Sequence, residues 1–118
     1  MQAKAVNLAE KLALFDEFWA PKVVGSFNGH DLMVMKVKGR FVWHSHPETD
    51  DFFLVLKGRL TIEMRDGAVA LGPGEFYVVP RGVEHCPVAD EETEILLIES
   101  EGAPNTSDPA TAAPKPKI

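Results

Sequence analysis

Apolar residues at Leu8, Leu12, Phe15 and Trp19 recur at the spacing of one helix face, behind an asparagine, Asn7, suited to an N-cap. Pro21 and Gly25 end that pattern, so a helical stretch is expected over Asn7–Trp19. Beyond it the apolar stretches become short and are separated by Asn28-Gly29, Lys38-Gly39, Lys57-Gly58, Asp66-Gly67 and Gly72-Pro73-Gly74. Many short strands punctuated by turn residues indicate an antiparallel sandwich or barrel. Strands are expected at Val23–Ser26, Asp31–Val37, Phe41–His46, Asp51–Lys57, Arg59–Met64, Ala68–Leu71, Glu75–Val79, His85–Val88 and Glu94–Ser100. Asp66-Gly67 between two alternating runs is the clearest hairpin signal.

Alternation also assigns faces. Met33, Met35 and Val37 share one side of their strand, against Leu32, Val34 and Lys36 on the other. Two strands are apolar on both sides: Phe52, Leu54 and Leu56 alternate with Phe53 and Val55, and Leu96 and Ile98 with Ile95 and Leu97. One face of each fills the interior, and the other needs a cover, either the N-terminal helix or a second subunit. An isologous homodimer is therefore expected.

Composition narrows the function classes. The 118 residues suit one domain, and a net charge of −6 with scattered basic residues argues against nucleic-acid partners. No apolar run is long enough to span a membrane, and no secretory signal is visible at the N-terminus. A single cysteine, Cys86, excludes an intramolecular disulfide and suits the cytoplasm. The organisation expected is a helical segment over 1–22 packed on a barrel over 23–101, followed by a flexible Pro- and Ala-rich tail over 102–118 that lacks periodicity.

Three of the four histidines fall in two short segments, Trp43-His44-Ser45-His46-Pro47-Glu48-Thr49-Asp50-Asp51 and Pro80-Arg81-Gly82-Val83-Glu84-His85. Residues two apart on a strand point the same way, so His44 and His46 converge on one point. A carboxylate from the next strand and a third imidazole from a distant one would complete a set suited to Fe, Mn, Co, Ni or Zn. The same parity puts Val42 beside the histidines and Phe53 and Val55 in line with Asp51. Either Phe76 and Val78 or Tyr77 and Val79 form the wall opposite. Met35, Phe53, Val55, Tyr77 and Arg81 are the expected pocket residues, and Arg40, Arg81 and Tyr77 the candidate contacts for an anion or hydroxyl. His30, beside a turn, reads as a surface loop residue, and Glu48, Asp50 and Asp90-Glu91-Glu92 as solvated loop charge. Cys86, next to His85, reads as a buried inert thiol facing away from the site.

The two histidine segments resemble the motifs of the cupins. The first cupin motif runs Gly, about five residues, His-x-His, three or four residues, Glu, six residues, Gly; here Gly39, four residues, His44-Ser45-His46, four residues, Asp51, six residues and Gly58 follow it. The second runs Gly, five residues, Pro-x-Gly, two residues, His, three residues, Asn; here Gly74, five residues, Pro80-Arg81-Gly82, two residues, His85 and three residues lead to Ala89. The chain departs from the pattern in a first spacing one residue short, in Ala89 for Asn, and in Asp51 for Glu. Spacing to Gly58 selects Asp51 over Asp50 and Glu48, and its shorter side chain either ligates directly or holds a metal-bound water.

The resemblance implies an all-β double-stranded β-helix (jelly-roll) barrel with a short N-terminal helix. It also implies a divalent transition metal on His44, His46, Asp51 and His85. The function it implies is metal-dependent chemistry on a small organic molecule, of dioxygenase, isomerase, epimerase or lyase type. The alternative is a non-catalytic module that binds a small molecule or a metal, because fold alone does not transmit function.

Overall fold

The computed structural model describes residues 3–103 and 114–118. Seven antiparallel strands follow a short helix: α1 (Leu8–Leu12), β1 (Lys22–Phe27), β2 (His30–Arg40), β3 (Asp51–Lys57), β4 (Leu60–Met64), β5 (Gly67–Leu71), β6 (Phe76–Val79) and β7 (His85–Ser100). The strands run in the order β1-β2-β7-β3-β6, with β4 pairing both β5 and β7. The result is a jelly-roll barrel.

One element differs most from expectation. The two strands expected at His85–Val88 and Glu94–Ser100 are a single 16-residue strand, β7. Its first part pairs with β4 (Met64 opposite His85, Thr61 opposite Val88), its last part with β3 (Lys57 opposite Glu94, Phe52 opposite Ile98), and β2 follows it on the other side. Asp90-Glu91-Glu92 are exposed as expected, but they lie on this strand and not in a loop. Near that bend Gly58 turns β3 into β4 at φ +92°. A Cβ on Gly58 would stand 2.5 Å from Thr93 Oγ1, so the close approach of chain to chain requires glycine.

The segment Phe41–His46, expected as a strand, is not a continuous strand but joins β7 at separate points. Phe41 N–H donates to Pro87 O (3.0 Å), and His44 and His85 exchange backbone hydrogen bonds at 3.0 and 2.9 Å.

The barrel interior is packed by Met33, Met35 and Val37 of β2, Phe53 and Val55 of β3, Leu60 and Ile62 of β4, and Ile95 and Leu97 of β7. Because Phe53 pairs with Tyr77 and Asp51 with Val79, the inward pair on β6 is Tyr77 and Val79, while Phe76 and Val78 face outward.

The N-terminal segment covers part of the outer face. Asn7 Oδ1 accepts the Glu10 N–H at 3.0 Å, as an N-cap should, but α1 stops at Leu12. The expected continuation to Trp19 loses to tertiary hydrogen bonds. Lys36 Nζ donates to Phe15 O (2.7 Å) and Trp19 N–H donates to Lys36 O (2.8 Å), which draws the chain out along β2. Leu12 and Phe15 still bury themselves, with Val34, Leu56 and Leu96.

Of the expected tail, residues 104–113 lie outside the described residues. Residues 114–118 return to β1: Val23 N–H donates to Pro116 O (2.8 Å), Ile118 N–H to Val23 O (3.0 Å), and Lys11 Nζ to Ile118 O (3.0 Å). Composition gave no sign of this docking. The unpaired backbone of an edge strand supplies its reason. Among the described residues no helix is long and apolar enough to cross a membrane.

Candidate metal centre

The two histidine segments are stitched together by their backbones. Besides the bridge between His44 and His85, Gly82 N–H donates to His46 O at 2.8 Å. Asp51 opens β3, opposite Val79 of β6. These constraints bring His44, His46, Asp51 and His85 to one buried point, with one candidate ligand atom from each lying within 4.8 Å of the others. All four side chains that the sequence nominates for the metal are thus brought together.

Local hydrogen bonds aim the imidazoles. His44 Nδ1 lies 2.8 Å from Val42 O and His85 Nδ1 lies 2.9 Å from Val83 O. A carbonyl oxygen only accepts, so each Nδ1 carries a proton and each Nε2 is turned into the cluster. This is the orientation that metal-ligating histidines adopt.

Asp51 Oδ2 stands 3.1 Å from His85 Nε2 and 3.2 Å from His46 Nε2; the second approach has no hydrogen-bond geometry. Asp51 Oδ1 is buried without a partner among the described residues. The cluster therefore gathers nitrogen and oxygen ligand atoms at a buried point and leaves one carboxylate oxygen unmet, an arrangement that favours a shared cation. Three imidazole nitrogens and a carboxylate oxygen fit a first-row divalent ion.

Burial lowers the His44 imidazole to about 4, against the Val42 hydrogen bond that favours its charged form. Burial acts in the same direction on His46, but the Asp51 carboxylate, helped by Glu99, outweighs it and raises the group. Burial raises Asp51, and His46 and His85 together more than reverse that.

A cavity of about 20 Å³ adjoins His44 and Asp51, room for about one water molecule. Met35, Phe53, Leu97 and Pro87 form its apolar walls, Glu99 joins the two ligands, and the half-buried Trp19 and Phe41 line its solvent side. Met35 and Phe53 thus lie where alternation puts them. Val55 and Tyr77 also face inward, but with Arg81 they do not line this cavity. Val55 sits farther along the packed core, because the cavity ends near Phe53. Tyr77 faces inward but its hydroxyl donates to Met64 Sδ at 3.9 Å. Arg81 turns outward to Asp50, with its N–H 3.0 Å and its Nε 3.5 Å from Oδ1.

The remaining candidates also lie away from the cluster. Arg40 pairs with Glu63 at 2.8 Å on the outer surface, and its Nη1 reaches the fully buried Cys86 Sγ at 3.4 Å. His30 is exposed as expected, although it begins β2 instead of lying in a loop.

Two site residues escaped the sequence reading. Glu99 is 4% exposed, with Lys115 Nζ 3.6 Å from its Oε2, and burial together with the nearby Asp51 charge raises it to about 7. Trp19 holds φ +60°, a conformation that costs a side chain about 1–2 kcal/mol. Its indole Nε1 donates to Lys38 O (2.9 Å), and its ring stacks on Phe41 with centroids 4.7 Å apart and planes 13° apart.

Comparison with known proteins agrees with this architecture. The cupin domain family matches residues 31–100, and the chain belongs to that family. It is 30% identical over 81 residues to the uncharacterized protein YdbB of Bacillus subtilis (strain 168), covering 68% of this chain and 72% of that one. The crystal structure of a cupin-2 domain containing protein from Shewanella frigidimarina NCIMB 400 is similar with a TM-score of 0.80 and 44% identity, over 81% of this chain and 94% of that one. A protein from Neisseria meningitidis superposes with a TM-score of 0.75 at 28% identity, over 83% of this chain and all (100%) of that one.

Proposed function

We propose that this cupin is a metal-dependent enzyme acting on a small organic molecule, with the metal held by His44, His46, Asp51 and His85. The observation that carries the reading is the buried convergence of the four side chains: two imidazoles fixed by Val42 and Val83 with Nε2 turned inward, beside a carboxylate with an orphaned oxygen. A bound metal would supply Lewis acidity and orient a substrate oxygen. The chain's own residues do the rest. Met35, Phe53 and Leu97 exclude water, and Glu99 places a carboxyl at the cavity wall where it can hold a proton. Reaction types consistent with this arrangement are oxygenation, isomerisation or epimerisation, and lyase chemistry.

One observation favours a second reading, a module that binds a metal or small ligand without converting it: the cavity of about 20 Å³ leaves no space for a substrate beside the ligands. Turnover by metal-loaded protein, screened over small hydroxy- and oxo-compounds, separates the two. The enzyme reading expects turnover that His46→Ala abolishes while the circular dichroism spectrum is kept. Ligand binding without any conversion would leave the binding module. We also propose a homodimer of the soluble barrel, supported by the exposure of Phe76 (60%) and Phe27 (62%) and by the stacking of Phe52 on Phe76 on the outer sheet face. Light scattering showing a monomer at micromolar concentration would contradict it.

A further inference from the structure

The cavity beside His44 and Asp51 is small, about 20 Å³. Its inner walls are buried, and Trp19 and Phe41, both half-buried, line its solvent side. With room for about one water molecule, any larger ligand enters only when a wall yields. Phe41 is tied to β7 through Pro87, and its ring meets the His44 ring edge-on at 5.3 Å. Trp19 belongs to no helix or strand and sits at φ +60°, held by Lys36 O and Lys38 O. Backbone held in a sparsely populated region is a recognised feature of ligand clamps and switch segments. Trp19 is therefore the wall best placed to move.

We propose that Trp19 and Phe41 form a gate, and that the gate selects a flat aromatic ring bearing a ring hydroxyl. The inference rests on the metal-site reading above and names its ligand class. When the indole leaves, it bares the face of Phe41, and a planar ring recovers the stacking that a puckered saturated ring forfeits. Met35, Phe53 and Leu97 continue the apolar slot inward. At its end stand His44, Asp51 and Glu99, groups that favour an incoming hydroxyl over a bare hydrocarbon edge.

The test uses the full chain loaded with zinc, which is redox-inert, and two probes: catechol and cis-1,2-cyclohexanediol. Zinc content is measured first, so that an empty site, which overturns the metal reading and with it this one, is told apart from a loaded site that ignores rings. Calorimetric titration then gives the ratio of the two affinities. Because catechol also chelates zinc better, the decisive quantity is the change in that ratio on mutation. The gate predicts that Phe41→Leu lowers the ratio about fivefold and that Phe41→Tyr keeps it.

A second measurement does not depend on those variants folding. Of the two tryptophans, Trp43 lies outside the cavity, so Trp43→Phe leaves Trp19 as the sole reporter. Catechol should shift its emission to longer wavelength, as the indole moves into water, and cyclohexanediol should not. An unchanged ratio in Phe41→Leu, or unchanged Trp19 emission while catechol binds, overturns the proposal.

Discussion

Two groups of buried charge share the interior of this barrel, and they are balanced differently. Asp31 of β2 and Glu99 of β7 face each other across paired strands, and Lys115 from the returning C-terminal segment stands 3.9 Å from Asp31 and 3.6 Å from Glu99. The neighbouring cluster of His44, His46, Asp51 and His85 has only imidazoles around its carboxylate, and among the described residues no lysine or arginine pairs with Asp51. Burying an ion is costly unless it is paired. The first group carries its cation in the chain, whereas the second is arranged to take one from solution.

That contrast can be broken from either side. The largest effect belongs to the ligands: His46→Ala or His85→Ala should weaken zinc binding by at least about 100-fold in calorimetric titration, since even residues behind a ligand alter affinity by about 10–100-fold. Lys115→Met, which makes no ion pair with the four ligands, should leave zinc affinity within a few-fold of the original.

Metal removal comes next. Zinc at a thousandfold excess over its dissociation constant should stabilise the fold by about 4 kcal/mol, read as a rise in melting temperature that a chelator reverses. Smaller again, Lys115→Met should cost about 2 kcal/mol at pH 8 in urea denaturation, by leaving Glu99 buried without its cation. Adding Glu99→Gln to the same chain should recover most of that loss.

The subtlest difference is in pH dependence. Burial lowers His44 to about 4, below its unfolded value of 6.5, so the folded state binds fewer protons between those values. Stability of the metal-free protein from this group therefore rises as pH increases through that window. Glu99 runs the other way. Raised by burial and by Asp51 from 4.5 to about 7, it keeps its proton longer when folded, so its contribution falls as pH rises from 4.5 to 7. The two slopes oppose each other in wild type. In Glu99→Gln the rise between pH 5 and 7 should steepen, by about 1 kcal/mol in urea denaturation of metal-free protein.

Much of the metal cluster was legible in the linear chain because its information is local. His44 and His46 are two apart, Asp51 lies at a set distance from Gly58, and His85 follows Pro80-Arg81-Gly82, so spacing alone nominates them. Glu99 was hidden for a physical reason. Ile95, Leu96, Leu97 and Ile98 are all apolar, and a strand with two apolar faces does not reveal which one turns inward. Once the register sets Leu97 opposite Phe53 and Met33, Glu99 must follow it into the barrel.

Trp19 was misread for the opposite reason. Its spacing from Leu8, Leu12 and Phe15 imitates a helix face, while hydrogen bonds to Lys36 and Lys38, distant in sequence, hold it at the cavity. Arg81 and Asp50 show the limit of motif proximity. They flank the ligands in the chain yet pair with each other on the outer surface.

The imidazole and carboxylate cluster is suited to a cation that the chain itself does not supply. Elemental analysis of untagged protein, purified and then reconstituted with divalent metal, tests it most directly. About one equivalent of a first-row divalent ion per chain is expected, lost in His46→Ala and retained in Lys115→Met. A content below about a tenth of an equivalent after reconstitution would contradict it.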